Sequence, residues 1–101
     1  MNMQKLMMEA QKMQAQLQNV QKELEKTIYE GTSSLVSVKI NGKYEVNEVI
    51  INLPEGEDLA YDDVSMLEDM VTIAMNEAVK KVMADKEKKM SKFGGGLAGL
   101  M

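Results

Sequence analysis

The first 26 residues, MNMQKLMMEAQKMQAQLQNVQKELEK, contain no glycine, proline or aromatic residue and predict one long helix. Its apolar residues alternate three and four positions apart, the heptad spacing of a helix that packs against another helix: Met3, Leu6, Ala10, Met13, Leu17, Val20 and Leu24. Such a helix is about 39 Å long, whereas a compact domain of this size has a radius of gyration of about 13 Å. We therefore expect the helix to protrude from its domain, to dimerise, or to do both.

Composition limits the chemistry that this chain can perform. The 101 residues include no cysteine and no histidine, which removes thiolate nucleophiles, the commonest general base and the commonest transition-metal ligand. The acidic residues at 55–63 lack the spacing of a calcium loop and favour a solvated loop with a helix cap. No stretch resembles a signal peptide or a membrane span. We expect a cytoplasmic protein that is not an enzyme, with no cofactor, no metal, no small-molecule substrate and no membrane partner.

Charge is distributed unevenly along the chain, whose net charge is −4. Residues 1–26 carry four Lys and three Glu, residues 27–79 carry two Lys and eleven acids, and residues 80–101 carry six Lys and two acids. The two ends are therefore basic and the middle is acidic. Because the Debye length is about 8 Å at physiological salt, these regions act locally rather than as one sum.

The middle of the chain predicts a β-hairpin. In LVSVKINGKYEVNEVIINL, apolar and polar residues alternate on both sides of Asn41-Gly42, a strong hairpin-turn signal. Past the turn the apolar positions change parity between Val46 and Val49, which indicates either a bulge or a stretch buried on both faces. The segment TIYEG before it adds a third strand in one interpretation. The sheet is thus a hairpin or a three-stranded meander.

A second long helix is predicted from about Asp63 to Lys92, with Asp62 as its N-cap. Its apolar face rotates by about a third of a turn from Met75 onward, which predicts a first half on the sheet and a second half on the first helix. The fold class is therefore α+β, helix–sheet–helix, forming a dimer with protruding helical arms. We expect one domain at 1–93 and a flexible glycine-rich tail at 94–101.

The lysines allow two interpretations. Lys81, Lys88 and Lys92 lie within about 40° of one another on the second helix, and four more lysines line the first helix. An ordinary solvated face explains this pattern. A row of cations along DNA phosphates explains it as well, because each neutralised phosphate releases counterions.

Several stretches in order resemble the YbaB/EbfC nucleoid-associated protein family. They are NMQKLMMEAQKMQAQ in the first helix, LVSVKINGKYEVNEVIIN across the hairpin, MLED and the Ala74, Asn76, Ala78 pattern in the second helix, and the glycine-rich end. The resemblance covers nearly the whole chain. It implies a small bacterial protein, a homodimer of the nucleoid and cytoplasm whose paired helical arms grip double-stranded DNA, alter its conformation and affect nucleoid organisation and gene expression.

Taken together, charge and resemblance predict two sets of residues. The DNA-binding set is Lys5, Lys12, Lys81, Lys88, Lys89 and Lys92. The dimer-interface set is Leu17, Val20, Leu24, Val49, Ile51, Leu67 and Val71. A coiled-coil protein-interaction or chaperone-like module that does not bind DNA is the alternative function, since helical arms on a β-hairpin body are also found in prefoldin subunits.

Overall fold

The computed structural model describes residues 2–93. Its elements are α1 (Met3–Lys26), β1 (Ile28–Ser33), β2 (Val36–Asn41), β3 (Val46–Ile51) and α2 (Asp63–Met90), with a 3-10 turn at Ser91–Phe93. The strands form one antiparallel sheet in the order β1-β2-β3. The α+β helix–sheet–helix prediction is confirmed, and its three-stranded alternative is the one that forms. The predicted tail lies outside the described residues.

Side-chain hydrogen bonds mark both ends of α1. The Asn2 side chain accepts hydrogen bonds from the backbone N–H groups of Gln4, at 3.0 Å, and Lys5. This cap satisfies donors that have no partner within the helix. At the other end Thr27 is extended, and its hydroxyl donates to the Glu23 carbonyl oxygen at 2.7 Å. Only Thr27 therefore separates the helix from β1.

The N-terminal part of α1 protrudes from the molecule. Residues 3–16, which we call the arm, are all exposed. Burial begins with Leu17 and Val20, which are partly buried, and is complete at Leu24. The molecule measures 72 × 19 × 14 Å and its radius of gyration is 19.8 Å, well above the ~13 Å of a compact domain of this length. The predicted protrusion is confirmed.

The core lies between α2 and the first two strands. Gly31 of β1 meets the helix backbone so closely that a Cβ there would stand 2.0 Å from the Ala74 carbonyl oxygen. The fully buried residues of α2 on this contact recur every four positions, at Ala74, Ala78 and Val82. They form one stripe. The predicted change of partner from Met75 onward is therefore wrong for Val82, because this stripe runs through both predicted faces.

Both ends of α2 also differ in detail from the prediction. Val64, expected to pack on the sheet, is exposed. Asp62 makes no capping hydrogen bond with its side chain, and the neighbouring Asp63 carboxylate instead accepts from the Ala60 N–H at 2.9 Å. At the C-terminal end Met90 is buried in the core. Helices α1 and α2 are in contact, as expected.

The parity change in β3 is a bulge. Lys39 of β2 pairs with Glu48, but the next residue, Ile40, pairs with Val46. Asn47 is therefore an extra residue in β3, and it moves the following apolar residues onto the face occupied by Ile40. The parity change therefore comes from a bulge and not from burial of β3 on both faces.

The β2–β3 turn lies at Asn41-Gly42 as predicted, but its geometry differs from the expected one. The residue with a left-handed backbone is Tyr44, with φ 64°, rather than either residue of the Asn-Gly pair. Gly42 is required by contact, because a Cβ there would lie 2.0 Å from the Leu24 carbonyl oxygen of α1. This hairpin thus resembles a three-residue loop that places its last residue in the left-handed region.

Candidate nucleic-acid interface

Four of the six lysines predicted to bind DNA project into solvent. Lys5 and Lys12 lie on the arm, and Lys88 and Lys92 lie at the C-terminal end of α2 and in the turn after it. All four are exposed. Their ammonium groups are therefore accessible to a phosphate backbone.

The other two predicted lysines are held by the protein itself. The ammonium group of Lys81 donates to the Glu30 carbonyl oxygen of β1 at 2.6 Å and pairs with Glu77 at 3.5 Å. Lys89 pairs with Asp85 at 3.1 Å. Of the predicted lysines on α2 and the turn after it, Lys88 and Lys92 are therefore accessible, whereas Lys81 and Lys89 are engaged in contacts within the chain.

Asp85, which interrupts the lysines in the sequence, has a structural partner in β1. The hydroxyl of the buried Tyr29 donates to Asp85 Oδ2 at 2.5 Å. This hydrogen bond, followed by those of Lys89, holds the pKa of the Asp85 carboxyl below its ordinary value despite some burial. Burial, the hydrogen bond to Asp85 and the charge of that carboxylate raise the pKa of Tyr29 to about 12. The carboxylate is thus ionised and anchors the basic end of α2.

A further cationic cluster surrounds the tip of the β2–β3 turn. The ammonium group of Lys86 lies 4.5 Å from the centre of the Tyr44 ring, a cation–π contact. Lys43 is exposed beside it. These residues border a shallow cleft of about 200 Å³ against Leu24 and Glu25 of α1. The cleft lies at the C-terminal end of α1.

One apolar face of β3 remains uncovered. Val49 and Ile51 pair with Val38 and Val36 of β2 and therefore lie on the same side of the sheet as the core. Yet the two β2 valines are at most 1% exposed, whereas Val49 is 46% and Ile51 is 42% exposed. Helix α2 covers β1 and β2 but not β3.

Helix geometry shows which side of α2 adjoins that open face. Lys81 reaches β1 and Lys86 reaches the β2–β3 turn, so these two residues mark opposite flanks of the helix. Met75 and Val79 lie within about 20° of Lys86 around the helix axis. Both are partly buried. They therefore flank the exposed face of β3.

Of the other residues predicted for the dimer interface, Leu24 is only 1% exposed and belongs to the core of its own chain. Its side chain is already covered without a partner. The remaining four are partly buried against that core: Leu17, Val20, Leu67 and Val71.

Comparison with known proteins identifies the family. The model of the YbaB/EbfC DNA-binding family matches residues 1–97. The chain belongs to the YbaB/EbfC DNA-binding family. It is 45% identical to a nucleoid-associated protein of Chloroflexus aurantiacus, with 99% of each chain covered. It is 41% identical to a nucleoid-associated protein of Clostridium acetobutylicum and 38% identical to one of Legionella pneumophila, covering 95% of this chain and 85% and 84% of theirs.

For this YbaB/EbfC protein the family is one of DNA-binding proteins rather than of enzymes. Within residues 2–93 no group of three or more acidic side chains is arranged to hold a metal ion. In the same range no helix has the length and apolar character needed to cross a membrane.

Sequence reasoning missed the cluster around Tyr44 in this YbaB/EbfC protein. The sequence did not connect Lys43, Tyr44 and Lys86, because Lys86 is 42 positions away from Tyr44 in the chain. One local signal was present. An aromatic residue stands at the tip of a tight hairpin, where glycine or asparagine would fit the backbone better.

Proposed function

We propose that this protein is a cytoplasmic homodimer that binds duplex DNA in the nucleoid, mainly through the phosphate backbone, and alters DNA conformation. Family membership supports DNA as the partner. The observation that carries the proposal is the exposure of lysines on the protruding arm and at the C-terminal end of α2. The acidic charge of residues 27–79 lies in the body and its loop, away from the arm.

The backbone contacts are assigned chiefly to Lys5, Lys12, Lys88 and Lys92. All four are exposed, and among residues 2–93 none of them forms an ion pair, so their ammonium groups can approach phosphates. Lys81 and Lys89 belong to the same surface but contribute less, because each is already engaged. The chain contains no arginine, as all 12 of its basic residues are lysines. Because arginine is the preferred bidentate reader of guanine, sequence preference is expected to be weak.

A second copy of the chain is the proposed occupant of the open face of β3. Val49, Ile51, Met75 and Val79 present apolar surface there that one chain leaves uncovered. Leu17, Val20, Leu67 and Val71 adjoin the interface in this proposal, whereas Leu24 does not take part. A symmetric dimer doubles every lysine and brings two arms into one particle.

Catalysis is not part of the proposed function. The chain has neither the histidine nor the cysteine on which hydrolase, transferase and redox sites commonly rely. Its family also disfavours the alternative of a chaperone-like module without DNA binding. Effects on nucleoid organisation and gene expression would follow from DNA binding itself.

A salt series with fluorescent random-sequence duplex DNA tests this proposal. If a dimer neutralises on the order of six phosphates, the logarithm of the binding constant should fall with the logarithm of salt at a slope of about −5. A single strand of the same sequence serves as the comparison and should bind more weakly. Absence of duplex binding at low salt, or a slope near zero, would overturn the proposal.

A further inference from the structure

The inference begins with the strained backbone of Tyr44. Its φ of 64° lies in the left-handed region, where a bulky side chain is rare and glycine or asparagine is favoured. Strain of this kind persists only where the surrounding structure enforces it, and it often accompanies a functional site.

Hydrogen bonds to Asn41 hold the backbone of the turn around Tyr44. The Asn41 carbonyl oxygen accepts from the Tyr44 N–H at 3.0 Å. Its side-chain oxygen accepts from the N–H groups of Lys43, at 2.8 Å, and Glu45, at 3.2 Å. These hydrogen bonds hold the residue before Tyr44 and the residue after it. They would hold a glycine at position 44 equally well, so they do not explain why tyrosine is there.

Packing does not explain the tyrosine either. Its side chain is 44% exposed and does not belong to the core. Its described ring contact is Lys86, whose ammonium group lies over the ring. The ring therefore aligns a cation at the surface, and nearly half of the tyrosine itself stays exposed.

The charges around this ring define what it can bind. Lys43 and Lys86 are the cations of the cleft, and Glu25 and Glu45 are the neighbouring acids. The Glu45 carboxylate is occupied by a hydrogen bond from the Asn41 side-chain amide at 3.0 Å. Lys86 stands two positions before Lys88 in α2, about 200° away around the helix axis, so the two side chains lie on opposite flanks of the helix. The cluster is therefore a second, separate group of cations, on the other flank of α2 at the tip of the β2–β3 turn.

We propose that Tyr44, Lys43 and Lys86 form a phosphate-contact site for the DNA backbone at the tip of the β2–β3 turn, beside the C-terminal end of α1. The Tyr44 hydroxyl donates a hydrogen bond to a phosphate oxygen, and the two ammonium groups neutralise phosphates beside it. The site adds an aromatic contact to a surface otherwise built from lysines. This inference rests on the proposed DNA-binding function and specifies a place of contact that the lysine pattern does not.

The test exploits the opposite effects expected on stability and on binding. Tyr44→Asn suits the left-handed backbone, so the melting temperature should stay the same or rise, while duplex affinity falls by about tenfold because a hydrogen bond to a charged group is lost. Tyr44→Phe keeps the ring, the backbone strain and the Lys86 contact, and should show most of the same loss of affinity. Tyr61→Asn is the matched control, because Tyr61 is 92% exposed and lies outside this cluster. It should bind as the wild type does.

Each outcome distinguishes this site from the broader proposal. Wild-type binding together with unchanged affinity in folded Tyr44→Asn and Tyr44→Phe overturns this site and leaves the lysine surface in place. Equal loss in Tyr44→Asn and Tyr61→Asn also overturns it, since the effect would not be local. A wild-type protein that does not bind duplex DNA overturns both proposals. If Tyr44→Asn does not fold, the affinity of Tyr44→Phe decides.

Discussion

The Tyr29 hydroxyl donates a hydrogen bond of 2.5 Å to the Asp85 carboxylate and so joins the first strand to the second helix. Asp85 in turn pairs with Lys89 at 3.1 Å. The three side chains fix how the C-terminal end of α2 lies on the sheet, and this end carries Lys88 and Lys92. Asp85 therefore lowers the net positive charge at the C-terminal end of α2 and also holds that end of the helix on the sheet.

Tyr29→Phe should destabilise the fold. The substitution keeps the ring in the core but removes a hydrogen bond to a charged group, which is worth about 1.5–3 kcal/mol. Urea unfolding at neutral pH measures the loss. Tyr61→Phe, at a residue 92% exposed, should unfold at the wild-type urea concentration. An unchanged midpoint for Tyr29→Phe would contradict a stabilising role for this hydrogen bond.

Tyr29 and Asp85 make the free energy of unfolding depend on pH in two ranges, one acidic and one alkaline. The pKa of Asp85 is lowered by folding, so its stabilisation is present above its ordinary value of 3.8 and is lost as pH falls through the lower folded value. The pKa of Tyr29 is raised from 10.0 to about 12, so its stabilisation is present below pH 10 and is lost between 10 and 12. Unfolding free energies measured across pH should show smaller losses in both windows for Tyr29→Phe than for the wild type.

Changing Lys88 and Lys92 together to Gln should weaken binding to all duplex sequences about equally. The dimer would lose up to four phosphate contacts, so the salt slope should become less steep by as much as about 3.6. Adding Lys81→Gln should change little more, because Lys81 already bonds to Glu30 and Glu77. Fluorescence anisotropy at several salt concentrations measures both quantities.

Lys39→Gln is the control for that experiment, since Lys39 lies on the sheet between Glu30, at 3.9 Å, and Glu48, at 3.7 Å. It removes the same charge from a surface not assigned to DNA. Equal effects of Lys39→Gln and of Lys88→Gln alone would mean that only the net charge matters.

Val49→Asp should dissociate the proposed dimer, because it places a charge on the open apolar face of β3. Ile28→Asp is a matched control. Ile28 is also exposed, at 51%, but it lies on the opposite face of the sheet from the buried Tyr29 next to it. Sedimentation velocity should show monomer for the first variant and dimer for the second. A folded wild-type monomer at micromolar concentration would refute the homodimer.

Gly31→Ala should strongly destabilise the fold. Its Cβ would stand 2.0 Å from the Ala74 carbonyl oxygen and 2.5 Å from the Ala78 nitrogen, both backbone atoms that can yield only if α2 moves. We expect a loss of about 3 kcal/mol or more. Gly56→Ala meets no atom within 4 Å and carries only the strain of its φ of 84°, so it should cost about 1 kcal/mol. Thermal unfolding would contradict this account if the order were reversed.

Periodicity was sufficient to predict α1, the β2–β3 hairpin and most of α2, because each depends mainly on neighbours in sequence. β1 was harder to predict. Its Gly31 weakens the local strand signal, and only the close approach of α2 explains why glycine is there. The parity change in β3 predicted an irregularity, but the pairing of Ile40 with Val46 was needed to identify a bulge.

The positive charge of the candidate site could be predicted from the sequence, but the contacts of its individual residues could not. Exposure of Lys5, Lys12, Lys88 and Lys92 agrees with a polar helical surface. The engagement of Lys81 could not be predicted, because its partner carbonyl lies 51 residues away. The aromatic and cationic cluster likewise depends on the fold, which brings the hairpin tip beneath α2.

The exposed arm has a consequence for the energetics of binding. Residues 3–16 bury no side chain in the single chain, so their helix depends on the Asn2 cap, intrinsic propensity and extension from the anchored end at Leu24. Helical segments of this length are marginal in water. The arm should therefore fray, and its amide protons should exchange with solvent far faster than those of α2 near Ala78. Any partner that orders the arm will complete its folding, so affinity for that partner will include the free energy of forming the helix.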